Sequence, residues 1–178
     1  MRSDRGAVTP LGAVARGLAA GAAGTLAMDL YWFALYRHGG GTSGFRSWDL
    51  SAGLESWGEA PAPAQVGRRL VEGLFRRELP ERRAALVNNL IHWGYGTVTG
   101  AQYGLLAGSV RTPRTWFGVP FGSGVWGLSY TVLPPTGLYE PIWRYDRRTL
   151  ARDLGAHLVY GLGTAAAFRL LAAAAVRT

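Results

Sequence analysis

Apolar residues in this chain gather into four long runs, without the strict alternation of half-buried strands, and polar stretches separate them. The runs cover roughly 12–36, 84–108, 115–135 and 153–175, close to the roughly 20 residues that a helix needs to cross a bilayer. The first carries one Arg and one Asp, Arg16 and Asp29, and the third stops at Pro134-Pro135, where a helix loses its donors. Trp32, Tyr36, Trp93, Trp116 and Tyr130 fall toward the ends of the runs, where amphipathic rings favour the headgroup boundary. The pattern predicts an all-α, polytopic membrane protein, a four-transmembrane-helix bundle forming a single domain over residues 1–178.

Between the first two runs lies a loop, 37–83. Residues 38–63 are rich in Gly, Ser and Pro and read as irregular. Residues 64–79, "AQVGRRLVEGLFRREL", place Val66, Leu70, Val71, Leu74 and Phe75 on one helical face. Arg68, Arg69, Glu72, Arg76 and Arg77 lie mostly opposite. This predicts a short interfacial amphipathic helix, with Arg68, Arg69, Arg76 and Arg77 as its membrane-surface basic residues and anionic lipid headgroups as their partners. Capping the bundle by ordinary packing is the alternative, and one helix can do both.

The second and fourth runs share a pattern. "HWGYGTVTGAQYGLL", His92 to Leu106, returns 65 residues later as "HLVYGLGTAAAFRLL", His157 to Leu171. Identities fall at His92/His157, Tyr95/Tyr160, Gly96/Gly161, Thr99/Thr164, Ala101/Ala166, Leu105/Leu170 and Leu106/Leu171. Positions 92, 95, 96, 99, 100 and 103 share one helical face, so what recurs is a face. The two runs are separated by one full return through the third, so they point the same way. The chain therefore reads as two pseudo-repeated helix pairs related by an axis along the membrane normal. The third run echoes the first faintly, Gly118 and Gly122 repeating the spacing of Gly17 and Gly21.

Composition sharpens this picture. The 178 residues include 26 Gly; each Gly costs about 1 kcal/mol against Ala in a helix in water, whereas in lipid Gly permits close helix contact. Small-xxx-small ridges occur at Gly17/Gly21, Gly96/Gly100/Gly104/Gly108 and Gly118/Gly122. They suit packing within one bundle, and a homo-oligomer or a membrane partner protein could use such ridges too. The mean hydropathy of +0.06 averages apolar runs with the charged loop. A cleaved leader fits poorly, because Arg16 interrupts the apolar stretch and the run continues past Asp29 to Tyr36.

All 19 basic residues are Arg, and the net charge is +8. The charges sit between apolar runs and form no single soluble face, so no nucleic acid is expected as a partner. Twelve Arg fall in 37–83 and 136–152, against Arg2, Arg5, Arg16, Arg111, Arg114, Arg169 and Arg177 on the other side. The positive-inside rule then puts those two loops in the cytoplasm of a multi-pass bacterial inner-membrane protein. Arg16 and Arg169 are expected to snorkel toward the terminal side.

Polar residues within the runs converge in depth. Asp29, His92, His157 and Tyr130 all lie within roughly 6–12 Å of one interface at 1.5 Å per residue, with Tyr95 and Tyr160 a turn deeper. An ionisable residue inside a membrane helix is a functional candidate, since even mild scales charge Asp about 2.5–3.5 kcal/mol at the helix centre. Asp29 with His92 and His157 therefore reads as a proton or cation site, with Tyr130, Tyr95 and Tyr160 completing a polar cluster. The competing reading of each is a hydrogen bond that fixes packing.

The stretches "GLAAGAAGTLAMDL", "HWGYGTVTGAQYGLL" and "VLPPTGLYEPIW" resemble the YagU-like inner-membrane proteins, a family known as a domain of unknown function. The resemblance covers most of the chain. It implies a small polytopic bacterial membrane protein and supplies no catalytic residues to carry over.

Three functions compete: proton or cation handling, a non-catalytic bundle or accessory subunit in membrane organisation, and, remotely, a bis-His haem protein using His92 and His157. No Cys is present, and there is no nucleotide fingerprint, HExxH or GxSxG. Neither catalytic residues nor a metal or cofactor are therefore expected.

Overall fold

The computed structural model describes the backbone of residues 9–110 and 112–175; Arg2, Arg5, Arg111 and Arg177 of the charge count lie outside the described residues. The described residues are all-helical, without strands. The helices are α1 (Pro10–His38), α2 (Phe45–Asp49), α3 (Ala62–Phe75), α4 (Ala84–Gly108), α5 (Gly118–Val132) and α6 (Arg147–Ala175). Two of them, α1 and Arg147–Ala174 of α6, are long and apolar enough to cross a membrane, and only 33% of the most apolar window of each is buried.

Local chemistry sets the ends. Thr9 caps α1, its Oγ1 accepting the Gly12 N–H at 3.1 Å, and Pro10 occupies the first helical position where no donor is needed. The same helix stops at Gly39-Gly40, with Gly40 at φ 92°, a conformation open to a residue lacking Cβ. Asp146 caps α6: Oδ1 accepts the N–H of Arg148 at 2.9 Å and of Thr149 at 3.0 Å, while Oδ2 accepts the Thr149 hydroxyl at 2.6 Å. These bonds hold the Asp146 carboxyl below its ordinary range. They also start α6 six residues before the apolar run at 153. The third run is helical only over Gly118–Val132, flanked by 3-10 turns at Thr115–Phe117 and Pro134–Thr136.

The chain divides into two compact units. Of the described residues, unit 1 comprises 9–31, 96–110, 112–128 and 146–175; unit 2 comprises 32–95 and 129–145.

In unit 1, glycines bring helix backbones together. A Cβ on Gly21 would lie 2.5 Å from the Gly96 carbonyl oxygen and 2.8 Å from Gly100 Cα, and one on Gly17 would lie 2.6 Å from the Gly100 oxygen. So α1 and α4 touch backbone to backbone. The same construction joins α5 to α6, where a Cβ on Gly118 would meet the Gly161 carbonyl carbon at 2.5 Å and Leu162 Cα at 2.7 Å. Gly24 brings α1 against α6, 2.7 Å from the Tyr160 carbonyl oxygen by the same measure. Tyr103 of α4 packs on Phe121 of α5 (centroids 4.9 Å) and edge-on against Phe168 of α6 (5.8 Å). Ala20, Tyr103, Ala107, Ala165 and Phe168 form the buried centre.

Similar contacts recur at the two stretches of like sequence. Gly21 sits on Gly96, and Gly118 sits on Gly161, the repeat partner of Gly96. The equivalent of Gly118 is therefore Gly21, one turn from the Gly17 that sequence spacing suggests. Gly spacing is four residues in both helices, so spacing alone fixes the register only to within a turn. In this register Asp29 corresponds to Trp126, and its carboxylate has no counterpart in the second half.

Unit 2 corrects the expectation of an irregular loop. Residues 45–49 form α2, and Trp57, 4% exposed, anchors a small core with Ala64 and Ala84. The Trp57 indole N–H donates to the Leu79 carbonyl at 3.0 Å. Asn89 Nδ2 donates to the Leu50 oxygen at 3.0 Å, and Asn88 Nδ2 to Ser51 Oγ at 2.9 Å, fastening this segment to α4. The amphipathic helix ends at Phe75, not at 79, because Arg76 turns left-handed at φ 51°.

Candidate functional site: polar groups within the helices

Unit 1 holds Asp29, His157 and Tyr160; unit 2 holds His92, Tyr95 and Tyr130. Each group is described within its own unit.

Asp29 is 5% exposed on α1, and Thr25, one turn earlier, is buried and donates its hydroxyl to the Gly21 carbonyl at 2.9 Å. On α6, His157 faces Asp153, one turn before it, with side chains 14% and 17% exposed. His157 Nδ1 lies 2.8 Å from the Asp153 carbonyl oxygen and 3.5 Å from its Oδ1. A carbonyl oxygen only accepts, so Nδ1 carries a proton and donates it there. The carboxylate distance is too long for a hydrogen bond and suits an electrostatic contact. Asp153 Oδ2 is buried and has no hydrogen-bond partner. Sequence reasoning missed Asp153; the signal was its spacing of four from His157, which puts both on one helical face.

Tyr160 is 3% exposed, and its hydroxyl donates to the Gly96 carbonyl at 2.7 Å. The hydroxyl thus ties α6 to α4. Thr99 and Thr164, the next repeated pair, are 6% and 0% exposed.

In unit 2, His92 is half-buried on α4, and Tyr95 is 49% exposed. The repeated tyrosines therefore differ: Tyr160 lies within the buried sector of α6, and Tyr95 lies at the rim of the matching face. Tyr130 packs with Tyr139 (5.2 Å) and Tyr145 (5.4 Å) in an aromatic cluster.

The predicted basic quartet also divides. Arg68 is turned inward, its guanidinium 5.3 Å from the Trp57 ring centroid and its Nε 3.1 Å from Glu72 Oε1. Glu72 also accepts the Leu79 N–H, and these bonds hold its carboxyl below the ordinary range, the Leu79 bond foremost. Arg69 donates to the Thr136 carbonyl while remaining exposed. Arg76 and Arg77 are exposed beyond the end of α3. Arg68 thus differs from the other three in lying against an aromatic face and a carboxylate, while its side chain stays 37% exposed.

Fold and polar groups together define an all-helical protein with two helices of membrane-crossing length and composition. No family model, curated protein or solved structure matches the chain.

Proposed function

We propose that this chain is an integral membrane protein of four spans, α1, α4, α5 and α6, that binds and releases protons or small cations at Asp29, Asp153 and His157. Several features support the spans. Leu26, Leu30, Val98, Leu106, Val119, Leu128 and Leu170 are between 41% and 73% exposed, while glycines, alanines and threonines fill the interior. Apolar outside with small residues at the contacts is the arrangement that lipid favours. The resemblance to YagU-like proteins agrees with a bacterial inner-membrane location, with 37–83 and 136–152 on the cytoplasmic side.

One observation carries the chemistry: the Asp153–His157 pair lies inside α6, about 9 Å beyond its first residue. Both side chains are largely buried, and a buried carboxylate needs a compensating partner. With Nδ1 protonated, His157 takes a proton at Nε2, and the imidazolium charge is balanced by the Asp153 carboxylate. Loss of the proton returns the neutral ring.

Proteoliposomes holding a pH-sensitive dye, driven by a potassium diffusion potential, test this reading. The native chain should carry protons faster than empty vesicles, and Asp153→Asn or Asp29→Asn should reduce the rate at least tenfold. Flux equal to empty vesicles, or undiminished flux in both variants, refutes it.

The Tyr160–Gly96 bond favours a second reading, in which polar groups serve packing alone and the bundle is an accessory subunit. A stable co-purifying membrane partner, with no effect of the Asp29 and Asp153 changes, selects it.

A further inference from the structure

The apolar face of α3 is divided. Ala64 and Gly67 are buried, and a Cβ on Gly67 would meet Ile91 Cγ1 at 2.6 Å, so this stripe lies on α4. Leu70, Leu74 and Phe75 make no part of that contact and are 53%, 75% and 69% exposed. Leu70 and Leu74, spaced i and i+4, form one outward ridge, and Phe75 ends the helix beside it. Where α3 crosses, α4 shows its own outward leucines, Leu86 at 47% and Leu90 at 63%.

Charge surrounds the ridge. Arg69 sits beside it, Arg76 and Arg77 follow it directly, and Arg82 and Arg83 lie in the 3-10 turn that leads into α4; all five are exposed. Of the nine charged residues in 62–84, six are Arg and three Glu, a net +3. The Arg69 bond to the Thr136 carbonyl ties α3 to the segment bearing Trp143, which is 81% exposed. A water-facing helix has no use for this combination. A membrane surface does: apolar residues enter the acyl boundary, arginines reach anionic phosphates, and an indole sits at headgroup level.

We infer that α3 docks on the anionic bilayer surface through Leu70, Leu74 and Phe75, with Arg69, Arg76 and Arg77 binding phospholipid headgroups and Arg68 taking no part. The occupant is the lipid of the membrane in which the bundle sits, so the inference rests on the spanning reading above. Each exposed arginine near an anionic surface contributes about fivefold in affinity.

The chain has no Cys, so single cysteines can carry an environment-sensitive fluorophore without background. Leu74→Cys reports the ridge, and Val98→Cys, an outward position on α4, reports the span. Both are placed in nanodiscs of neutral phosphatidylcholine or of a mixture with phosphatidylglycerol, with a nitroxide quencher on the lipid chains. Both probes should be quenched in the anionic discs, and quenching at Leu74→Cys should fall severalfold in neutral discs. Removing Arg69, Arg76 and Arg77 as Gln should release the Leu74→Cys probe in anionic discs, whereas Arg68→Gln should not. A quenched Val98→Cys with an unquenched Leu74→Cys overturns the docking alone. Equal Leu74→Cys quenching in the two lipids overturns the anionic preference. An unquenched Val98→Cys overturns the spanning reading and the docking with it.

Discussion

Replacing Gly21 by Ala puts a methyl group into the closest approach of α1 and α4. Its carbon would lie 2.5 Å from the Gly96 oxygen, 2.8 Å from Gly100 Cα and 2.9 Å from the Thr97 oxygen. Carbon contacts are best near 3.5–4.0 Å, so the helices must part by roughly 1 Å. A gap of that size forfeits a quarter to a half of each contact's attraction of about 0.1–0.2 kcal/mol. Over about forty atom pairs, the number a single buried Leu makes, the loss is on the order of 1–4 kcal/mol, centred on the range for overpacking. The matched control is Gly124→Ala, since a Cβ on Gly124 meets nothing within 4 Å; it absorbs any gain in helix propensity. Reversible unfolding by SDS in mixed micelles, followed by circular dichroism, measures the difference. Gly118→Ala, at the equivalent place between α5 and α6, should lose a similar amount. Gly21→Ala as stable as Gly124→Ala would refute the backbone contact.

The tyrosines of the repeat should respond unequally. Tyr160→Phe should lose about 0.6–1 kcal/mol by the same measurement, and Tyr95→Phe should be neutral; equal losses would contradict the assigned hydrogen bond. Trp57→Ala should remove about 3–5 kcal/mol of packing from the Trp57 core and quicken trypsin cleavage after the already exposed Arg76 and Arg77 by loosening the backbone around them. Asp146 contributes stability above its unfolded pKa, which is lost as pH falls through its depressed folded value. Hydrogen exchange at Arg148 and Thr149 should therefore quicken in acid in the native chain, and Asp146→Asn, which caps without titrating, should flatten that dependence.

Much of the fold was legible because outward-facing and helix-facing residues have different chemistry, large aliphatic against small. The apolar run at 84–108 coincides with α4, and α1 exceeds its run by two residues at each end. The short α5 shows where composition misleads: apolar 3-10 turns extend the run without extending the helix. The repeated face was visible in His92 to Leu106, but its pairing with the first and third helices required carbonyl positions that side-chain identity does not encode. The loop was least legible. Trp57 reads as one aromatic in a Gly/Pro-rich stretch, and its core is built from contacts with Leu79 and Ala84, far along the chain. Arg68 and Arg69 are neighbours in sequence with opposite fates, because successive helical positions point about 100° apart. Asp29 and His157 were legible as intramembrane candidates. Asp153 was not, because it sits at the start of its run, where a charged residue suggests a boundary.

Tyr103 and Phe168 occupy the same place in the two halves, and they touch each other. Size at one of these positions is therefore felt at the other: a bulkier side chain at 103 calls for a smaller one at 168, and the two sites behave as a coupled pair.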